Sequence, residues 1–111
     1  MQILRIFWGA TPWLLLAQFT QAATTHYVDV NGSNPVSPYT DWSTAATNIQ
    51  DAVSKTGLND TVMVTNGVYQ FGSGYGFGLN RVYVSVQHVT VQSVNGPAVT
   101  TIVGYQIPGT T

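Results

Sequence analysis

From Asp60 onward the chain is a series of short β-branched alternations cut by turn dipeptides, and this limits its fold more than any other feature. Residues 61–65 read TVMVT, residues 81–86 RVYVSV, residues 89–93 VTVQS and residues 99–103 VTTIV, with Asn66-Gly67, Asn95-Gly96-Pro97 and Gly104 between or after them. Period-two patterning rich in valine and threonine predicts strands rather than helix. Residues 68–70 add a shorter strand, and residues 26–30 (HYVDV) an opening one, closed by Asn31, Gly32 and Pro35. Asn-Gly is also the signature of a two-residue hairpin, so an antiparallel meander is one reading. A second reading rests on an internal echo. Val62-x-Val64, Asn66-Gly67 and Val68 are followed by Val89-x-Val91, Asn95-Gly96 and Val99. A repeated strand–corner–strand unit favours stacked coils over a meander.

One segment breaks the β pattern. In residues 41–55, Trp42, Ala45, Ala46, Ile49, Ala52 and Val53 recur at helical spacing and form one apolar stripe. Thr47 and Gln50 have capping-box spacing, which places the regular helix from about Asn48. Asp51 and Lys55 can pair across one turn, and Gly57 stands where a left-handed C′ residue is expected. So short a helix is not stable alone, and its stripe must lie on an apolar surface.

Charged residues are only 6% of the 111, with a formal net charge of −1. That balance lacks the basic footprint of a nucleic-acid-binding protein. The start of the chain has a positive charge at Arg5, an apolar run through Leu16 and small residues at Ala22 and Ala23. Residues 1–23 are therefore expected to be a secretory signal peptide, cleaved after Ala22 or Ala23. The rival is a membrane anchor, but a spanning helix needs about 20 apolar residues and Pro12 interrupts the run. The expected location is secreted or cell envelope, with no stable membrane span after cleavage. The chain has no cysteine. An exported domain this small, without disulfides, must gain stability from a partner, a ligand or further coils.

Residues 26–35 (HYVDVNGSNP), 41–70 (DWSTAATNIQDAVSKTGLNDTVMVTNGVYQ) and 89–104 (VTVQSVNGPAVTTIVG) together resemble the N-terminal end of bacterial secreted right-handed parallel β-helix proteins, the pectin-lyase-like superfamily. The resemblance implies an all-β fold. Residues 24–111 would form the N-terminal cap and first coils of a solenoid, truncated relative to the family. The short helix would plug the open end of the first coil, with Trp42, Ile49 and Val53 as the structural cap. Implied partners are a polysaccharide and the further coils of a parent protein. The chain departs from the family's acidic opening turn: Gly32-Ser33-Asn34-Pro35 lacks the Asp, and Val36 replaces a Gly. A cation role for that turn is not carried over. The family's catalytic Asp, Arg and Lys residues lie on later coils, and no position here matches them.

Read for chemistry, the chain offers little. Its acids are Asp29, Asp41, Asp51 and Asp60, each with a local structural role beside any catalytic one. His26 and His88 have no metal-ligand spacing, and neither Ser85 nor Ser93 forms a nucleophile motif with His88. No cofactor and no metal site are expected. Residues 71–78 alternate glycine with Phe71, Ser73, Tyr75 and Phe77. They match neither a dinucleotide nor a phosphate loop. Tyr75 and Phe77 are candidates for stacking on sugar rings, against the plainer reading of a flexible insertion. Asn31-Gly32-Ser33 and Asn59-Asp60-Thr61 match glycosylation acceptors, but the plainer reading of polar turns is preferred. The expected function is that of a capping segment of a secreted, polysaccharide-associated protein without catalytic residues of its own. The alternatives are a non-catalytic surface or adhesin-type scaffold and a non-functional fragment; a longer parent would decide whether a lyase or hydrolase is involved. On export, intact mass should place the new N-terminus at Ala23 or Thr24; an exported chain that keeps residues 1–22 would contradict the signal-peptide reading.

Overall fold

The computed structural model describes residues 21–76, 78–104 and 109. The elements are β1 (Thr25–Val28), a 3-10 turn (Trp42–Thr44), α1 (Ile49–Val53), β2 (Thr61–Val64), β3 (Gly67–Tyr69), β4 (Gly74–Tyr75), β5 (Leu79–Asn80), β6 (Thr90–Ser93) and β7 (Thr100–Ile102). Of the expected leader, residues 1–20 lie outside the described residues, and residues 21–23 are exposed just ahead of β1. No helix among the described residues is long and apolar enough to cross a membrane.

β2 is the centre of a three-stranded parallel sheet in the order β1-β2-β6. His26 pairs with Val62 and Val62 with Val91; Val28 pairs with Val64 and Val64 with Ser93. β1 and β2 alternate partly exposed with buried residues, so Val28, Val62 and Val64 face one core. Ile49, Ala52 and Val53 of α1 meet them there, with Ala46 and Tyr69 completing the cluster. Tyr69, Ile49, Val28 and Val62 are its largest fully buried side chains, each worth about 1.5–3 kcal/mol of transfer free energy. The Tyr69 hydroxyl accepts from the Val30 N–H at 3.3 Å and donates to the Thr65 carbonyl at 2.8 Å, so its one polar atom is satisfied. Burial pushes this phenol above its ordinary range.

The two edges of this sheet differ. Along the outer side of β1, the Tyr27 N–H donates to the Tyr39 carbonyl (2.7 Å), the Ala46 N–H to the Tyr27 carbonyl (2.9 Å) and the Asp29 N–H to the Ala46 carbonyl (2.8 Å). Irregular chain thus covers that edge. Beyond β6 lies no further strand among the described residues.

The expectation of an all-β right-handed parallel β-helix is corrected. The described residues form a small mixed α/β domain: two parallel sheets of three and two short strands, an antiparallel β4–β5 pair and a helix that shares the core. Among them no solenoid is detected. The antiparallel pair is one departure. The other is residues 81–86, expected as a strand from their strict alternation, which join no sheet. At Tyr83 a side chain, described below, stands where a ladder partner would. The hairpin reading of Asn66-Gly67 also fails, because β2 pairs with β1 and β6 while β3 pairs only with β7.

The internal echo is real in part. It set Val62 opposite Val89, but the register sets Val62 opposite Val91. A two-residue slip preserves side-chain parity, so sequence pattern alone cannot detect it. The two corners do align: the Asn95 Nδ2 donates to the Asn66 Oδ1 at 2.8 Å.

The helix differs in its details. Its N-cap is Asn48, not Thr47, with the Asn48 side chain accepting from the Asp51 N–H. Asp51 accepts in return from the Asn48 Nδ2 at 2.8 Å, an engagement other than the expected one with Lys55. Gly57 is not left-handed; Asn59 is, at φ 68°. The Gly57 N–H instead donates to the Asp60 Oδ2 at 2.7 Å, which fixes the turn into β2. Ile49 and Val53 are 2% and 4% exposed. Trp42 is outside the core at 43%, in the 3-10 turn, its ring tilted 54° against Tyr27 with centroids 4.5 Å apart. Ile49→Ala should therefore cost about 2–5 kcal/mol in chemical denaturation, and Trp42→Ala clearly less. The reverse ranking would place the anchor at Trp42.

Candidate ligand-binding cleft

The alternation of glycine and larger residues in the segment after β3 has a packing cause. A Cβ at Gly74 would strike the Gln50 carboxamide and the Tyr83 Cβ, and one at Gly76 would strike the Tyr83 ring. Only glycine lets the backbone lie this close. The intervening Phe71, Ser73 and Tyr75 are exposed, Phe71 at 69% and Tyr75 at 80%. The segment is therefore seated on α1 and Tyr83, not a free insertion. Two further ties hold it. The Arg81 Nη1 donates to the Gly72 carbonyl at 2.6 Å while its Nε donates to the Val103 carbonyl at 2.9 Å. The Asn80 Nδ2 donates to the Gly76 and Gly78 carbonyls at 2.8 and 3.1 Å, closing the β4–β5 turn.

Gln50 is the floor of this arrangement. Its Oε1 accepts from the Tyr83 N–H at 2.7 Å, and its Nε2 donates to the Tyr83 carbonyl and to the Ser54 Oγ, both at 3.2 Å. One carboxamide thereby engages both the N–H and the C=O of Tyr83, as a neighbouring strand would. Between α1 and the glycine-rich segment lies a cleft of about 490 Å³ lined by Gln50, Ser54, Ser73, Tyr75, Tyr83 and Ser85 among others. Of the two sugar-stacking candidates, Tyr75 lies at this cleft and Phe77 lies outside the described residues. From sequence, Gln50 reads as a capping-box residue and Tyr83 as strand packing, and Ser54 is not singled out. The available signal was a glutamine beside the apolar stripe, four residues before a serine.

Two of the remaining acids have structural partners. The Asp29 Oδ1 accepts from the Asn31 N–H at 2.9 Å. The Ser43 hydroxyl and N–H hold the Asp41 carboxyl below its ordinary range. His88 sits exposed in a turn at φ 60°. Among the described residues, no three His, Cys, Asp or Glu side chains are grouped to hold a metal ion.

Asp60 is the most heavily engaged. It is buried, accepting at Oδ1 from the Thr24 N–H (2.7 Å) and at Oδ2 from the Gly57 N–H (2.7 Å). The Oδ2 also lies 3.0 Å from Nε2 of buried His26, whose Nδ1 lies 2.6 Å from the Pro38 carbonyl. The Gly57 and Thr24 amides, aided by His26, hold the Asp60 carboxyl below the usual carboxylate range against the cost of burial. This is a clamp joining β1, the Pro38 loop and the entry to β2.

Comparison with known protein families, curated proteins and solved structures found no match to this chain. The resemblance drawn from sequence therefore rests on its quoted residues alone.

A carboxylate with a depressed folded-state pKa stabilises above its unfolded value, and that stability is lost as pH falls through the folded value. Thermal stability should thus drop as pH falls below about 4, and Asp60→Asn, less stable at neutral pH, should flatten that drop. An unchanged acid profile in Asp60→Asn would remove Asp60 from this role.

Proposed function

We propose that this chain is a non-catalytic structural module of an extracytoplasmic protein, closed along β1 and built to accept further strands along β6 and β7. The observation that carries the reading is the asymmetry of its sheet edges. An uncovered parallel edge is a template for pairing, and proteins normally blunt such edges. Here β1 is blunted by Tyr39 and Ala46. β6 carries neither lysine nor proline, and Val91, Val94, Val99 and Ile102 beside it are 36–50% exposed. A groove of about 160 Å³ between the two free strands is lined by Ile49, Val64, Val91, Pro97, Thr100 and Ile102. The Thr100 Oγ1 is buried there without a hydrogen-bond partner, a cost that an added strand with a polar group could relieve.

The occupant we propose is strand-forming chain of the same parent protein, paired in parallel on β6 and β7. Support for export comes from the charged, apolar and small-residue pattern of residues 1–23 and from surface polarity carried by Thr, Ser, Asn and Gly. Support for a structural role comes from the four aspartates, each engaged in a turn, a cap or the clamp.

Without its occupant the purified chain should self-associate through this edge. Val91→Lys with Ile102→Lys should lower the sedimentation-derived association while leaving thermal stability nearly unchanged, since both sites are exposed. A wild-type chain that stays monomeric at high concentration, or a double variant that associates equally, would count against the open-edge reading.

A further inference from the structure

We infer that the cleft between α1 and the glycine-rich segment binds a neutral saccharide, with Tyr75 as its stacking surface. The inference is independent of the strand edge. The cleft's volume, about 490 Å³, falls within the roughly 300–1,000 Å³ of small-ligand sites. Its polar lining is hydroxyl and carboxamide, from Gln50, Ser54, Ser73, Tyr75, Tyr83 and Ser85, with no charged side chain. The Arg81 guanidinium nearby is spent on the Gly72 and Val103 carbonyls. Such a site has nothing to pair with a phosphate or a carboxylate, and it suits a ligand whose own groups both donate and accept.

The floor is fixed before any ligand arrives. The Gln50 carboxamide is buried and oriented by Tyr83 on both its oxygen and its nitrogen. The Ser54 Oγ accepts from the Gln50 Nε2, which leaves the serine's own proton free to donate. The Gln50 Oε1 keeps a second lone pair beyond the one used by the Tyr83 N–H. On the other side, Gly74 and Gly76 seat the backbone flat on Gln50 and Tyr83, so Tyr75 is presented from an anchored strand although its ring is 80% exposed. An aromatic face beside an array of hydroxyls matches a pyranose, which is apolar on its C–H face and polar around its rim. Preorganisation on both sides lowers the ordering cost of binding.

The test is an NMR amide titration of the 111-residue chain with cellohexaose and xylohexaose as neutral probes and tetragalacturonate as the anionic comparator. Expected are shifts confined to the Gln50 side-chain amide and the backbone amides of Ser73, Tyr75 and Tyr83, saturating with a neutral hexaose. Tyr75→Ala should weaken that binding about tenfold with an otherwise unchanged spectrum. Ser54→Ala, which removes the spare donor and keeps the stacking ring, should weaken it by a smaller factor. Three results would each overturn the inference: no saturable shifts with either neutral hexaose, tighter binding of tetragalacturonate, or affinity indifferent to Tyr75→Ala.

Discussion

Parallel pairing of β1 with β2 is the constraint from which the rest of the domain follows. Parallel neighbours cannot be joined by a tight turn and need a long crossover. Here the crossover carries the Pro38 loop, the 3-10 turn and α1. It must do two things on its way: satisfy the outer backbone of β1 and cover the inner valines. Tyr39 and Ala46 do the first through backbone bonds, and Ile49, Ala52 and Val53 do the second. A five-residue helix is far too short to hold itself together, so its existence depends on that apolar face and on the Asn48 cap.

The polar side chains of the interior divide between two devices with different tasks. Asp60 gathers three donors at one carboxylate and ties the ends of the crossover to each other. Gln50 spends one carboxamide on the backbone of Tyr83 and so fastens an extended segment that has no strand beside it. The first holds the Asp60 carboxyl below its ordinary range; the second gives the neighbouring cleft a polar floor.

Much of the strand and helix placement was legible in the sequence, because valine alternation and one helical stripe are local signals. Five of the expected strands and the core role of Ile49 and Val53 stand where the patterns put them, within a residue or two. What failed was non-local. The parallel register differs from the internal echo by two residues, a shift invisible to parity. Residues 81–86 carry a perfect strand pattern yet join no sheet; at Tyr83 a glutamine side chain from the helix stands where a strand would. Trp42 has the right spacing for the core but falls in a separate 3-10 turn, where the stripe is broken by the Ala45 backbone leaving the helical region. The glycines at 74 and 76 looked like flexibility and are instead sites of close approach. The solenoid expected from resemblance gives way to a mixed α/β domain, and no comparison with known proteins restores it.

One edge of the three-stranded sheet is closed, and no strand among the described residues covers the other. The Thr90 and Val94 N–H groups donate to the Asp60 and Val64 carbonyls, so the intervening Val91 and Ser93 amides point away from β2. Tyr27 and Asp29 are the corresponding outward amides of β1. Residue-resolved hydrogen exchange compares the four directly. The account predicts slow exchange at Tyr27 and Asp29 and fast exchange at Val91 and Ser93 in the dilute, unassociated chain. Equal protection of all four, or faster exchange on β1, would contradict it.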